Sequence, residues 1–290
     1  MAKSQTTTAI AHSDDTTFRA WITELSGQLD AAGLATAGDT GQINLATATR
    51  PGTNTAAGYQ IRYLNDSLHG SKPLYLKIEF GTGLANTSPN IWITAASGTN
   101  GAGTLTGTTY FPRTEIIPYA YSAPGAATYF SGVCVLPGFF GMVFKRNYVA
   151  NQTPHFFAMR TCDDAGDISA AGFHFYYVYT SSTCYRYTYI TSLIHDQAGY
   201  SLYPSAGTST LVSGQPQVFR HFDSQPQVRC VPFMLSFMNG EIGDLSTFTS
   251  TPVGATSRTY LALAGTQGPT NVGMGPGGAW TNGRLAFQWE

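Results

Sequence analysis

Histidine and aspartate lie close together at two places in this sequence, an arrangement that suits proton transfer. His195 is followed directly by Asp196, and His221 lies two residues before Asp223. Successive residues of a β-strand point to opposite faces, so only the second pair would share a face. No obvious nucleophile accompanies that pair in the sequence. We therefore predict no catalytic residues and no enzymatic activity.

Sequence motifs for catalysis, nucleotide binding and metal binding are also missing. The chain contains no G-x-S-x-G, P-loop, strand-following G-x-G-x-x-G or H-E-x-x-H motif. The segment CDDAGD (162–167) places three aspartates in a glycine-containing turn, but it lacks the ligand spacing and distal glutamate of an EF-hand. We interpret it as a solvated turn, and we predict neither a metal nor a cofactor.

Aromatic residues form a pattern that suits ligand binding. The segment GFHFYYVYTSSTCYRYTYI (172–190) carries them at alternate positions of two successive strands. If both rows lie on one side of a hairpin, they form cross-strand aromatic pairs. Tyrosine suits protein interfaces and sugar rings alike, and a core lining explains the pattern equally well. The first row also contains Phe173 and Phe175, and the candidate glycan-binding or interface patch consists of Tyr177, Tyr179, Tyr185, Tyr187 and Tyr189.

One segment has the apolar periodicity of an amphipathic helix. Ser13 is placed to cap its N-terminus, Asp14 and Asp15 fall in the first turn, and Gly33 is placed to end it. The apolar stripe packs either on the chain's own β domain or on a neighbouring subunit, and we favour the second interpretation. The candidate interface residues are Phe18, Trp21, Ile22, Leu25 and Leu29.

Beyond residue 58 the sequence predicts β-structure throughout. In PLYLKIEFGTG (73–83), apolar and polar residues alternate, which is typical of a strand with one buried face. YQIRYLND (59–66) is predicted to pair with it, and NIWITAA (90–96) leads into a wide hairpin loop at 97–107. Further strands are predicted near 128–136, 139–149, 155–161, 172–180, 184–194, 216–222, 228–238, 258–264 and 284–289.

The predicted fold is mainly β, with one or more antiparallel β-sandwich or barrel-like domains and one N-terminal amphipathic helix. Residues 1–57 are predicted to form an N-terminal arm, helix and extended loop used in assembly. Residues 58–290 are predicted to form the β-rich part, which could divide into two sub-domains near 108–125. No helix-period segments separate the strands, which excludes a parallel α/β sheet.

The composition points to contact between proteins. Charged residues make up 11% of the 290-residue chain, and the net charge is −1. Such a balance excludes the basic surface expected for nucleic-acid binding, and it favours association, so we expect a homo-oligomer. The segment CVLPGFFGMVF (134–144) is about half as long as a membrane span and is interrupted by proline and glycine, so we predict no membrane insertion. The start of the chain has no apolar signal segment.

The four cysteines are far apart in the sequence and form no C-x-x-C pair, which disfavours a zinc ribbon or a redox-active dithiol. Buried free thiols are the simpler interpretation for a protein made in a reducing cytoplasm. Disulfide formation after release stays open for Cys134, Cys162, Cys184 and Cys230.

Residues 14–107 resemble the N-terminal part of virion structural proteins of tailed bacteriophages, described as tail, baseplate or minor structural components. The resemblance lies in TTFRAWITELSGQLDAAGL (16–34), DTGQINLATATRPGTNTAAGYQIRYLND (39–66), KPLYLKIEFGTG (72–83) and SPNIWITAASGTNGAGTLTG (88–107). It implies a component of the virion, made in the host cytoplasm and present in several copies as a symmetric ring or trimer with other virion proteins. It supplies no catalytic residues.

Three functions follow as hypotheses. The first is a structural subunit of a phage tail, baseplate or fibre attachment, and the alternative is a receptor-binding tail protein that holds a host-surface glycan on the tyrosine-rich hairpin. The third is a glycan depolymerase, which requires two carboxylates facing across a cleft. We interpret Glu79 and Glu115 instead as surface partners of Lys77 and Arg113.

Overall fold

The computed structural model describes residues 2–10, 12–83, 89–116, 127–146, 155–162, 168–178, 184–190, 193–197, 217–219, 231–238, 246–250, 257–262 and 283–289. These residues contain one helix, α1 (Asp15–Ala31), and seventeen strands. The strands are β1 (Ala2–Ile10), β2 (Ala35–Thr36), β3 (Thr55–Tyr63), β4 (Tyr75–Thr82), β5 (Pro89–Thr99), β6 (Leu105–Glu115), β7 (Ala127–Leu136), β8 (Phe139–Arg146), β9 (His155–Cys162), β10 (Ile168–Val178), β11 (Cys184–Ile190), β12 (Leu193–Gln197), β13 (Gln217–Phe219), β14 (Val231–Met238), β15 (Thr247–Ser250), β16 (Arg258–Ala262) and β17 (Gly283–Gln288).

The described strands form three sheets, in which every pairing is antiparallel. The front sheet has the order β2-β3-β4-β5-β6 and the central sheet the order β1-β7-β8-β9-β10-β11-β12. The back sheet has the order β13-β14-β17-β16-β15. The predicted fold class, mainly β and antiparallel with one N-terminal helix, is confirmed.

The strand predictions succeeded where one face is apolar and failed where neither is. The predicted pairing of 59–66 with the PLYLKIEFGTG segment is confirmed as β3 with β4. The predicted hairpin loop at 97–107 is shorter than expected, because Thr99 pairs with Leu105 and only 100–104 lie between the strands. Strands β1, β2, β6 and β15 were not predicted, and the single strand predicted for 184–194 is instead two antiparallel strands, β11 and β12. β1 reads AKSQTTTAI and β6 contains Pro112, so neither shows the alternation that marks a half-buried strand.

Helix α1 is capped at both ends by local hydrogen bonds. The N-cap is Asp14 rather than the predicted Ser13. The Asp14 carboxylate accepts from the Thr17 amide at 2.9 Å, and the Thr17 hydroxyl accepts from the Asp14 amide at 3.1 Å. At the other end Gly33 has φ 85°, and the Leu34 amide donates to the Leu29 carbonyl at 3.0 Å. This is a Schellman motif, so the predicted role of Gly33 is confirmed.

The apolar stripe of α1 faces the chain's own core. Its five residues are at most 3% exposed and belong to one cluster with residues of the front and central sheets. Trp21 packs edge-on against Phe80 of β4, and Gln28 donates to Ser131 of β7 at 2.9 Å. This arrangement corresponds to the first interpretation, a helix packed on its own β domain. The stripe comprises Phe18, Trp21, Ile22, Leu25 and Leu29.

The central sheet packs against a different layer on each face. On one side Phe111 of β6 stacks on Phe175 of β10, with ring centroids 5.0 Å apart. On the other side Phe157 of β9 packs against Phe287 of β17 at 4.9 Å. The thiol of Cys134 is buried there and donates to the carbonyl oxygen of Trp289 at 3.4 Å. The described residues therefore form a three-layered β-sandwich. The predicted domain division stays a prediction, although the chain passes from the front to the central sheet between residues 116 and 127.

The hairpin tip between β5 and β6 is held against the loop that follows β2. The Thr40 amide donates to the Gly101 carbonyl at 2.9 Å, and the Gly103 amide donates to the Asp39 carboxylate at 3.0 Å. The Lys77 ammonium also donates to the Gly103 carbonyl at 2.9 Å. Two segments that carry the phage resemblance, 39–66 and 88–107, thus meet at this contact.

Two glycines of this tip provide a matched test of the contact. Gly101 has φ 75° and Gly103 has φ 85°. A Cβ at Gly103 would lie 1.7 Å from the Tyr59 hydroxyl, whereas a Cβ at Gly101 would meet nothing within 4 Å. We expect Gly103→Ala to lower the free energy of unfolding by about 2–3 kcal/mol and Gly101→Ala by about 1 kcal/mol, because only the first adds a clash to the backbone strain. Urea unfolding of both variants measures this difference, and equal losses would contradict the contact.

Candidate functional site

The first row of the tyrosine-rich hairpin, β10 with β11, faces the front sheet. Phe173 and Phe175 are fully buried, and Phe111 of β6 lies 5.3 Å from the ring of Tyr177. The register pairs Phe173 with Tyr189, Phe175 with Tyr187 and Tyr177 with Tyr185, so both rows share a face, as required for cross-strand pairs. Tyr179 lies outside the described residues. The core-lining interpretation therefore accounts for Phe173 and Phe175, and the glycan or interface role of the patch stays a prediction.

The other residues considered for chemistry are only partly described. His195 and Asp196 occupy successive positions of β12, opposite Thr188 and Tyr187, so strand alternation places them on opposite faces. His221 and Asp223 lie outside the described residues, as do all three aspartates of the 162–167 turn. Within the part of the chain that is described, no group of three or more histidine, cysteine, aspartate or glutamate residues could hold a metal ion.

A row of four residues crosses the outer face of the front sheet. The register places Tyr59 opposite Glu79, Glu79 opposite Trp92, and Trp92 opposite Glu115. Arg113 lies over the Trp92 ring, 4.7 Å from its centroid, and donates to the Glu79 carboxylate at 2.7 Å. This row combines carboxylates with aromatic rings, so we consider it as a candidate site.

The charged side chains in this row have partners, and the partner of Glu79 differs from the sequence prediction. Glu79 pairs with Arg113 rather than with Lys77, because Lys77 lies over the Tyr59 ring at 4.1 Å and donates to the Gly103 carbonyl. Burial raises the pKa of Glu115, against the opposing effects of a hydrogen bond from Asn90 and the charge of Arg113. The charged side chains of this row therefore have their partners on the same face of the front sheet.

The two carboxylates of this row do not form the arrangement that glycoside hydrolysis requires. Glu79 on β4 and Glu115 on β6 lie on the same face of one sheet, with β5 and the Trp92 ring between them. Adjacent strands are about 4.8 Å apart, so the two backbones are separated by roughly 10 Å. A depolymerase holds its carboxylates on either side of a bound sugar, whereas these two lie side by side on one surface.

Two buried arginines connect separate elements of the fold, and neither contact was predicted from the sequence. Arg160 of β9 donates to Asp66, which follows β3, at 2.6 and 2.8 Å, and both side chains are 0% exposed. Arg62 of β3 bonds Asp30 and Ser26 of α1, and Gln60 beside it. A single arginine inside an apolar strand such as HFFAMRTC (155–162) is the available signal, since a buried guanidinium requires a carboxylate partner.

Comparisons with known proteins gave no match. No family model, no curated protein and no solved structure matches this chain. The described part of the chain also contains no helix that is long and apolar enough to span a membrane.

Proposed function

We propose that this chain is a structural component of a tailed-phage virion, a tail, baseplate or fibre-attachment subunit that acts through subunit–subunit contacts. The resemblance of residues 14–107 gives the class of particle, and the low charge of the chain gives the mode of action. The proposed partners are other virion proteins and further copies of this chain, and the proposed location is the virion.

An uncharged surface on the front sheet carries the proposal. It consists of the segments 40–55 and 100–109, which meet at the hydrogen bond between Thr40 and Gly101. None of the exposed residues in either segment is charged; they are threonines, glycines, asparagines and alanines, and the one charged residue of the two segments, Arg50, is half-buried. A monomeric surface normally mixes charges of both signs, so two adjoining segments without an exposed charge favour contact with a neighbouring subunit.

The receptor-binding alternative draws less support from the described residues. A sugar platform requires exposed aromatic faces, whereas Tyr177 of the candidate patch is half-buried against Phe111 and Trp92 is only 4% exposed beneath Arg113. The uncharged surface contains no exposed aromatic residue in either of its segments. Subunit contact therefore accounts for more of the described surface than glycan binding does.

Incorporation into particles tests the proposed function. We expect quantitative mass spectrometry of purified particles to find several copies of this chain per particle. Thr108→Lys, at an exposed position of the uncharged surface, is expected to reduce incorporation about tenfold, because a buried unpaired charge opposes subunit contact.

Thr249→Lys is the matched control, because Thr249 is exposed on β15 of the back sheet, on the other side of the central sheet from that surface. It should leave incorporation unchanged. Absence of the chain from purified particles would contradict the proposed function, and equal incorporation of both lysine variants would contradict the role of the uncharged surface.

A further inference from the structure

We propose that the outer edge of β1 pairs antiparallel with the β1 edge of a second copy of this chain. Among the described strands β1 has one hydrogen-bonded neighbour, β7, and it forms an edge of the central sheet. The pairing with β7 is regular over all nine residues, from Ala2 opposite Val135 to Ile10 opposite Ala127. A long, regular edge strand is a template for pairing with another chain.

The other edges in the described part of the chain are less suited to this pairing. β6 is long, but it contains Pro112 and its register with β5 shifts at three places. Proline and bulges are features that protect an edge strand from pairing. The remaining edge strands are short: β2 has two residues, β13 three, β15 four and β12 five. β1 has no proline, no glycine and no bulge, and its sole charge is Lys3.

Helix α1 lies on the face of the central sheet beside β1. Its Gln28 donates to Ser131 of β7, and Ser131 is opposite Thr6 of β1 in the register. Strand pairing uses the backbone groups in the plane of the sheet, at the edge of β1 rather than on this face. The proposed contact and the packing of α1 therefore use different parts of β1.

The β1 sequence suits pairing with itself. Full overlap of two antiparallel β1 strands places Thr6 on the two-fold axis, with Gln5 opposite Thr7 and Ser4 opposite Thr8. Lys3 is then opposite Ala9, so the two lysines lie at opposite ends of the pair and do not repel each other. Cross-strand pairs of threonine and serine are favourable. Because of this self-complementarity, we take the second strand to be another copy of the same chain.

The inference rests on the proposed function, because it names a surface through which copies of the subunit would contact each other. An isologous contact of this kind joins two copies into a closed dimer. If a second contact elsewhere on the chain forms a ring, the β1 contact would join two such rings, related by two-fold axes. The uncharged surface of 40–55 and 100–109 is a separate surface that is available for the ring contact.

Disulfide trapping in the full chain tests the pairing. Opposite residues of antiparallel strands have Cα atoms about 4.5–5.5 Å apart, which is within the range of a disulfide. Under mild oxidation, Thr6→Cys should give about tenfold more covalent dimer than Ser4→Cys, because two copies of residue 4 would lie roughly 14 Å apart. A mixture of Ser4→Cys and Thr8→Cys chains should cross-link, although neither should do so alone.

Gln5→Cys mixed with Thr7→Cys repeats the test on the other face of β1, in case a variant on the first face fails to fold. The wild-type chain, oxidised in parallel, gives the background from its own cysteines. If the wild-type chain associates in sedimentation but neither mixture cross-links above its single variants, the β1 pairing is wrong and the assembly role stands. If the wild-type chain is monomeric at every concentration, the assembly role itself loses its basis.

Discussion

Arg160→Met is expected to lower the free energy of unfolding by about 3–5 kcal/mol, because it leaves the carboxylate of Asp66 buried without its counter-ion. Both side chains of this pair are 0% exposed, and two hydrogen bonds connect them. The pair joins β9 of the central sheet to the chain that follows β3 of the front sheet. Loss of the pair therefore removes the ion pair itself and also weakens the contact between the front and central sheets. Urea unfolding followed by circular dichroism measures the loss.

Arg113→Met is the matched control, because it removes the same kind of side chain from a pair that is open to water. Arg113 is 51% exposed and Glu79 is 16% exposed. We expect this variant to lose about 1 kcal/mol, from a screened ion pair and the contact with the Trp92 ring. The double variant Asp66→Leu with Arg160→Met should recover much of the single loss, since no unpaired charge remains. Equal losses for the two arginine variants would show that Arg160 is not buried as described.

His12→Gln is expected to flatten the pH dependence of stability below neutrality. His12 is 3% exposed, and its Nε2 lies 2.9 Å from the Thr82 hydroxyl. That hydroxyl donates to the Pro51 carbonyl, so Nε2 must carry the proton and donate, which leaves Nδ1 without one. Burial, and secondarily the charge of Arg50, lowers the pKa of His12 to about 4.

The sign of the effect follows from the two pKa values. In the unfolded chain the histidine has a pKa of about 6.5, whereas in the folded protein its pKa is about 4. Between these two pH values the unfolded state binds a proton that the folded state does not bind. The wild-type protein should therefore lose up to about 3 kcal/mol of stability from this residue as the pH falls through that window. Glutamine does not titrate, so the variant should lack this part of the loss. Parallel stability profiles for the two proteins between pH 4 and 6.5 would contradict the burial of His12.

The sequence was sufficient where burial leaves a periodic pattern. The alternation in PLYLKIEFGTG predicted β4, and the spacing from Phe18 to Leu29 predicted α1. The sequence could not predict which surface the apolar stripe of α1 packs against. Apolar side chains have the same spacing whether the helix packs on its own β-sheet or on a neighbouring subunit. Edge strands such as β1 and β6 were missed for a related reason: their stability depends on the adjacent strand rather than on an apolar face of their own.

Long-range polar contacts were also beyond the sequence. Glu79 is two residues from Lys77, which made that pair the natural prediction, yet the sheet brings Arg113 from two strands away onto the same carboxylate. Asp66 and Arg160 are separated by 94 residues, and only the packing of two sheets places them together. In the candidate hairpin, alternation gave the shared face of the aromatic rows, whereas the fold was needed to show that Phe173 and Phe175 face inward.

Sedimentation velocity of the purified full chain, across a range of protein and salt concentrations, tests most directly whether its sparsely charged surface mediates assembly. Salt weakens contacts between charged groups but has little effect on contacts between uncharged ones. We therefore predict an oligomer of defined size, whose fraction rises with protein concentration and which persists at about 1 M sodium chloride. A monomer at every protein concentration would contradict the account, and so would an oligomer that dissociates as salt is added.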